Sequence, residues 1–189
     1  MNYLEIIGTA IGVIYLILEY RASSWLWIAG IVMPAVYLPV YYQAGLYADF
    51  GISIYYILAS VYGLAVWLRG RRHPVSGTAA PLPVTHTPRR VYALLIWAFA
   101  TIFLLIGFIL RSYSDSTVPW ADAFTTALSI VAMWMLARKY LEQWLVWIAA
   151  DLGCSALYLY KDLYFTSALY LAYAVIALLG YRRWRRLMH

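Results

Sequence analysis

Three side chains in one apolar stretch have the types and the spacing needed to hold a small aromatic cation. Trp144, Trp147 and Asp151 lie at positions i, i+3 and i+7, so on an α-helix they share one face. The carboxylate lies about two turns inside the stretch, and an acid in a membrane helix is costly unless it faces a partner, a cavity or a ligand. The indoles offer faces for stacking and cation–π contact. We therefore expect this face to line the pathway of a small-molecule transporter.

Each of these candidates also has a structural interpretation. A hydrogen bond to a hydroxyl of a neighbouring helix, or a pairing with arginine, would satisfy Asp151 without any ligand. Four more aromatic residues are candidates for the same lining, namely Trp27, Tyr41, Tyr158 and Tyr160. Aromatic residues near helix ends more often form interfacial belts or pack helices together, so each of the four is a weaker candidate than Asp151.

The composition is that of an integral membrane protein. Hydrophobic residues make up 65% of the chain and charged residues 12%, against about 45–50% and about 25% in soluble domains. Helices are the expected structure, because lipid leaves no partner for free backbone groups. The net charge of +6 fits the positive-inside bias of membrane proteins better than binding to nucleic acid. The sequence has no HExxH, GxSxG or P-loop motif, so we expect no enzyme activity, catalytic residue, metal or cofactor.

Seven apolar segments predict seven transmembrane helices. They cover residues 3–20, 25–43, 48–68, 91–111, 120–138, 143–161 and 164–181. With the N-terminus outside, twelve of the fourteen Lys and Arg residues fall on the inner side, and only Arg111 and Lys161 fall outside. The positive-inside rule therefore predicts an N-out, C-in chain with an odd number of spans.

The chain matches itself when it is shifted by 117 positions. The pairs are Thr9 and Thr126, Arg21 and Arg138, Trp27 and Trp144, Tyr41 and Tyr158, Tyr56 and Tyr173, Gly63 and Gly180, Trp67 and Trp184, and Arg69 and Arg186. This register predicts a duplicated three-helix unit around one linker helix, a 3+1+3 arrangement in which both copies have the same orientation.

The domain boundaries follow from this repeat. We expect a first repeat at 1–69, a cytoplasmic Pro-rich loop at 70–90, a linker helix at 91–111, and a second repeat with a basic tail at 120–189. The loop contains two histidines, His73 and His86, for which a solvated position is favoured over metal binding because the loop has no Cys or carboxylate.

Positions at which the copies differ are candidates for binding an asymmetric ligand, whereas shared positions are expected to hold the scaffold. Gly30 in the first copy corresponds to Trp147 in the second, Pro34 to Asp151, and Ser53 to Tyr170. Drift between the copies would also produce differences, so this assignment is a hypothesis.

The order and spacing of several short motifs resemble the PnuC family of bacterial vitamin transporters, which is related in fold to the SWEET sugar transporters. The motifs run from Trp27 to Gly30, from Gly45 to Asp49, Tyr62-Gly63 with Trp67, Trp144 to Trp147 with Asp151, Leu163 to Ser167, and Gly180 to Trp184. The resemblance implies the 3+1+3 arrangement and facilitated diffusion of a vitamin across the bacterial inner membrane.

The same resemblance implies nicotinamide riboside as the substrate of the best-known members, with thiamine and, less often, riboflavin in related ones. This chain has Asp151 where Asn is common and Ser53 where Gln is common. These departures leave the vitamin open, and nicotinamide riboside is expected first and thiamine second. A membrane enzyme and a seven-helix receptor or assembly subunit are the competing classes. A homo-oligomer is compatible with the sequence, which does not fix the oligomeric state.

Overall fold

The computed structural model describes residues 14–43, 47–70, 82–114 and 117–188, without the side chains of residues 47–49. Seven helices are formed by these residues. They are α1, described over 14–20, α2 (Trp25–Gln43), α3 (Tyr47–Gly70), α4 (Arg89–Tyr113), α5 (Pro119–Ala137), α6 (Gln143–Tyr160) and α7 (Tyr164–Arg186). Outside the description lie the start of the first predicted span, part of the motif at 45–49, and the Pro-rich loop at 71–81 with His73.

Five of the helices, α2, α3, α4, α5 and α7, are long and apolar enough to cross a membrane. This confirms the prediction of an all-α, multi-pass membrane protein. The chain divides into two compact units, residues 1–83 and residues 84–189. The first unit contains α1, α2 and α3, and the second contains α4 to α7.

In the first unit, α2 packs along α3. Two prolines, Pro34 and Pro39, lie inside α2. Each lacks the N–H that would bond the carbonyl one turn earlier, so α2 has weakened hydrogen bonding over its middle. The buried side of the helix pair is marked by Trp27 and Trp67, whose rings meet edge to face at a centroid distance of 5.5 Å.

In the second unit, α4 packs on α5, α5 on α6, and α6 on α7. Pro119 opens α5 at the first helical position, where its missing N–H is not needed. The contact of α4 with α5 is aromatic and close. Gly107 of α4 lies directly against the indole of Trp120, and Phe99 meets Phe124 edge to face at 5.6 Å. A side chain larger than hydrogen at residue 107 would displace that indole.

The turns α1–α2 and α5–α6 close with the same hydrogen bonds. The N–H of Ala22 donates to the carbonyl of Glu19, and the N–H of Ser23 to that of Leu18. Exactly 117 residues later, the N–H of Lys139 donates to Leu136, and that of Tyr140 to Met135. Ala22 and Lys139 both have positive φ, 52° and 55°. These are the bonds of a Schellman helix end, which needs a left-handed residue.

A short segment at residues 84–88, which we call the strap, is bound to the α5–α6 turn. The N–H of Thr85 donates to the carbonyl of Lys139 at 3.1 Å, and the N–H of Leu141 donates back to the carbonyl of Thr85 at 2.9 Å. Thr85 and Tyr140 thereby form an isolated parallel bridge. The end of the predicted loop is therefore held on the second unit rather than being wholly solvated.

Candidate functional site

The α5–α6 turn fixes where α6 begins. Glu142 precedes the helix, and its carboxylate accepts bonds from the strap: Thr87 N–H at 2.8 Å, Thr87 Oγ1 at 2.7 Å and His86 Nδ1 at 2.6 Å. Burial alone would raise the pKa of Glu142, but these hydrogen bonds outweigh it and lower the pKa below its usual value. The carboxylate is therefore ionised at neutral pH and ties the strap to α6.

Trp144 serves as a packing residue between α6 and α7. Its indole is 1% exposed, lies directly on Gly180 and meets Trp184 edge to face at 5.5 Å. A methyl group at residue 180 would come within 2.6 Å of the ring. Trp27 has the same environment in the first unit, on Gly63 and against Trp67. Much of the surface of these two predicted contacts is therefore already occupied by protein.

Asp151 lies two turns further along α6 and is buried, with 8% of its surface exposed. Its carboxylate is near enough to interact electrostatically with the side chains of Tyr173 on α7 and Cys154 on its own helix. Within the described ranges it has neither a hydrogen bond nor an ion pair, so the structural partners that the sequence allowed are not seen there. A buried carboxylate in this state is well suited to a cationic guest.

Trp147 lies one turn before Asp151 and on its side of the helix. The residue is partly exposed, but its indole nitrogen is buried and has no hydrogen-bond partner among the described residues. A buried N–H of this kind is a donor available to a ligand oxygen. Trp147 thus presents a π face and a polar group within one turn of the acid.

Three tyrosines extend the site towards the end of α6. Tyr158 stacks on Tyr170 of α7 at 5.3 Å, and Tyr170 meets Tyr173 at 5.6 Å. The sequence pointed to Tyr158 and to the asymmetry at Tyr170 but not to Tyr173, which is near enough to Asp151 to interact with it electrostatically. The i, i+3 spacing of Tyr170 and Tyr173 was the signal that placed them on one face.

The remaining predicted contacts lie in the first unit. Tyr41 stacks on Tyr37 of the same helix at 5.8 Å, and Ser53 is buried in α3. The structure therefore brings together Trp147, Asp151 and Tyr158 in the second unit, while Trp27, Tyr41 and Ser53 belong to the other unit.

The site in the second unit offers a buried acidic side chain, aromatic faces and an indole donor. In the described residues no group of three or more His, Cys, Asp or Glu side chains is placed to hold a metal ion. The arrangement is one for binding a flat guest by stacking and charge.

Together the fold and the arrangement of side chains define a helical, multi-pass membrane protein with an acidic and aromatic helix face in its second unit. The model of the family described as nicotinamide mononucleotide transporter matches residues 2–186, and the chain belongs to that family. This confirms the resemblance to PnuC proteins that the motifs indicated. The family is one of transporters rather than enzymes.

Curated relatives span almost the whole chain. The riboflavin/roseoflavin transporter RibM of Streptomyces davaonensis is 28% identical over 181 residues, which cover 95% of this chain and 83% of RibM. The nicotinamide riboside transporter PnuC of Escherichia coli is 23% identical over 208 residues, which cover 97% and 85%. The crystal structure of the vitamin B3 transporter PnuC has a TM-score of 0.73 at 20% identity, covering 98% of this chain and 82% of that one. That likeness shows the fold.

Proposed function

We propose that this protein carries nicotinamide riboside across the bacterial inner membrane by facilitated diffusion. The observation that carries the proposal is the buried carboxylate of Asp151, unpaired within the described residues, on a helix that also presents the indole of Trp147. Nicotinamide riboside has a fixed positive charge on an aromatic ring, and it is the substrate named for relatives such as PnuC of Escherichia coli. The carboxylate offsets that charge, and the aromatic side chains stack on the ring.

The proposed architecture is a 3+1+3 parallel repeat, with the N-terminus outside and the C-terminus inside. The repeat is supported by the turns α1–α2 and α5–α6, in which equivalent residues form the same hydrogen bonds. It is also supported by the two Trp pairs, each with a ring-centroid distance of 5.5 Å. The repeats occupy 1–69 and 120–189, separated by the loop at 70–90 and the linker helix at 91–111. Twelve inner-side Lys and Arg residues support the orientation.

The proposed binding residues are Trp144, Trp147, Asp151, Trp27, Tyr41, Tyr158 and Ser53, to which we add Tyr170 and Tyr173. Among these, Asp151 and Trp147 have the strongest support. The acid is buried without a polar partner in the described part of the chain, and the partly exposed Trp147, one turn away, has an unpartnered indole N–H. We assign Trp144 and Trp27 mainly to shaping the site, since both rings are packed on glycines. Such a carrier needs no catalytic residue or cofactor.

Riboflavin is the alternative substrate favoured by a specific observation, the 28% identity to RibM. Its ring system carries no fixed positive charge, so charge pairing with Asp151 would not contribute to its binding. Thiamine, which has a cationic ring, remains the other candidate within this family. The charge of the vitamin therefore separates riboflavin from nicotinamide riboside and thiamine.

The deciding experiment is a binding titration of the purified protein with nicotinamide riboside, thiamine and riboflavin side by side. It is followed by uptake of the labelled vitamin into empty proteoliposomes. We expect binding of nicotinamide riboside and uptake without ATP. Binding of riboflavin alone would replace the proposed substrate, and the absence of uptake for all three would contradict a carrier.

Replacing Asp151 by Asn tests the role of the charge. Losing a charged partner costs about 1.5 kcal/mol or more, so the affinity for a cationic vitamin is expected to fall about tenfold while that for riboflavin is retained. Asp162→Asn is the matched control, because it removes the same charge from an exposed residue in the α6–α7 turn. Equal binding of the cation by wild type and Asp151→Asn would show that the carboxylate has no part in recognition.

A further inference from the structure

A groove of about 360 Å³ lies between α4, α5 and the beginning of α6, and the proposed transport function does not use it. Val131 and Met135 of α5 form its buried floor. Ile96 of α4 and Leu145 of α6 form its rim, and both are exposed, Ile96 to 65%. Apart from Tyr92 and Glu142 the lining is apolar, so the groove has few partners for the hydroxyl groups of a vitamin.

Because these helices cross the membrane, exposed apolar residues at the rim face lipid rather than water. The lining on α4 follows one helical stripe, with Tyr92, Ile96 and Phe99 at spacings of four and three residues. The lining on α5 follows another, which includes Val131 and Met135. The groove between these two stripes therefore runs along the helices, and an acyl chain of the bilayer has the same direction.

Both stripes reach an arginine at the same end of the groove. Arg89 lies three residues before Tyr92, and Arg138 lies three residues after Met135, so each occupies the next position on its stripe. Both arginines are exposed, and the guanidinium of Arg138 lies 5.4 Å from the ring centroid of Trp134. Basic pockets between transmembrane helices on the cytoplasmic side are suited to anionic lipid headgroups.

Among the described residues that line the groove, Glu142 is the one with a carboxylate, and both of its oxygen atoms are already hydrogen-bonded. Oε1 is bonded to His86 Nδ1, and Oε2 accepts from both the N–H and the hydroxyl of Thr87. Its charge is therefore directed towards the strap, and the guanidinium groups of Arg89 and Arg138 set the sign of the potential at this end.

We propose that the groove between α4, α5 and α6 binds one acyl chain of an anionic phospholipid of the inner leaflet, with the phosphate between Arg89 and Arg138. The leaflet rests on the orientation given under the proposed function. The binding itself does not depend on which vitamin is carried. The lipid lies against α4, α5 and the beginning of α6, which is the helix that carries Asp151.

The test is native mass spectrometry of the full-length protein in detergent, titrated with phosphatidylglycerol or with phosphatidylcholine of the same acyl chains. We expect selective retention of phosphatidylglycerol. Each arginine near a membrane surface contributes about fivefold to the binding of an anionic lipid, so the double variant R89Q/R138Q should bind about 25-fold more weakly. The control R182Q/R185Q removes two exposed arginines from the end of α7 and should bind as wild type.

A second measurement, on the unaltered chain, locates the lipid. Phosphatidylglycerol with a photoreactive group in its acyl chain should label Phe99, Val131 or Leu145. Equal binding of the two lipids, an R89Q/R138Q variant that binds normally, or labels confined to other helices would each overturn the proposal. So would a lipid-free oligomer in which cysteines placed at Ile96 link two copies, because a second copy would then cover the groove. No vitamin is present in these assays, so their failure is separate from failure of vitamin transport.

Discussion

The pairs α2–α3 and α6–α7 are built on the same contacts but differ in what lies beside them. In each pair one tryptophan rests on a glycine of the partner helix and meets a second tryptophan edge to face at 5.5 Å. In each, the preceding turn closes with the same hydrogen bonds around a left-handed residue. Residues shared at a spacing of 117 therefore hold helices together, which is a scaffold role.

Residues that differ between the pairs change volume and charge in a coordinated way. In the first unit Gly30 lies against Ser60 and the ring of Tyr15. The equivalents in the second unit are Trp147, Ala177 and Ala132. Where the second unit has the large Trp147 in place of Gly30, it has alanine at the two positions that crowd the glycine in the first unit. Pro34 of the first unit is replaced by Asp151 in the second.

The largest effect is expected when Gly30 alone is replaced by tryptophan, the residue at the equivalent position of the second unit. Gly30→Trp would drive an indole into Ser60, whose Oγ is 2.6 Å from the position of an added Cβ, and into Tyr15. We expect a loss of about 4 kcal/mol or more, enough to prevent folding. The triple variant Y15A/G30W/S60A copies the second unit and should recover folded protein. Size-exclusion profiles in detergent decide, and a triple variant no better than the single one would break the proposed equivalence.

The next effect concerns the shared glycines. Gly63→Ala and Gly180→Ala each place a methyl group against an indole, which should cost about 1–3 kcal/mol by overpacking. Gly51→Ala is the control, because an added Cβ there meets nothing within 4 Å and alanine stabilises a helix by about 1 kcal/mol. Thermal unfolding in detergent should show two comparable losses and one gain. A loss at only one of the two glycines would show that the pairs are packed differently.

A smaller effect is expected at the strap, which is bound to the turn of the second unit. Glu142→Ala removes an ionised acceptor of three hydrogen bonds, which should lower the free energy of unfolding by about 2 kcal/mol. Trp25→Ala, at the equivalent position, removes a side chain that is 66% exposed and should change little. The melting temperatures of the two variants test this. Equal losses would mean that the strap contributes nothing.

The same residue predicts a pH dependence. Because the pKa of Glu142 is lowered in the folded protein, its contribution to stability is present above the pKa of the unfolded chain and is lost as the pH falls through the folded value. Melting temperatures of wild type and Glu142→Gln should therefore converge in acid and separate near neutral pH. Curves that stay parallel from neutral to acid pH would contradict the lowered pKa.

The smallest effect tests the left-handed turn residue. Ala22 has φ of 52°, which costs about 1 kcal/mol for a residue with a Cβ. Ala22→Gly should therefore stabilise the protein slightly, whereas Ala35→Gly, at an exposed position inside α2, should destabilise it by a similar amount. A melting temperature lowered by both substitutions would place Ala22 outside the left-handed region.

The helices themselves were readable from hydropathy because each is a long apolar run. The bounds 25–43 coincide with α2. The predicted end at 181 fell short of α7, which continues to Arg186, since the basic residues there interrupt hydropathy but not helix formation. Hydropathy reports the membrane-embedded part of a helix, so helix ends beyond the bilayer are not visible to it.

Part of the candidate site was predictable and part was not. Asp151 was a candidate because it is a lone acid in an apolar run, and Tyr170 was a candidate because it differs from its equivalent, Ser53. The strap was missed because its bonds join residues 55 and 56 positions apart, and no periodicity marks such a contact. Trp144 and Trp27 are equivalent at the spacing of 117, and the rings of both pack on a glycine of the neighbouring helix. A ligand contact of Trp144 stays a prediction.

Unlike its neighbours α5 and α7, α6 is not among the five helices apolar enough to cross a membrane on length and composition. It carries a buried amide at Gln143 and a buried acid at Asp151. Such groups oppose insertion of an isolated helix into lipid. We therefore expect α6 to enter the bilayer together with α5 or α7, because a neighbouring helix would cover the amide of Gln143 and the acid of Asp151 during insertion.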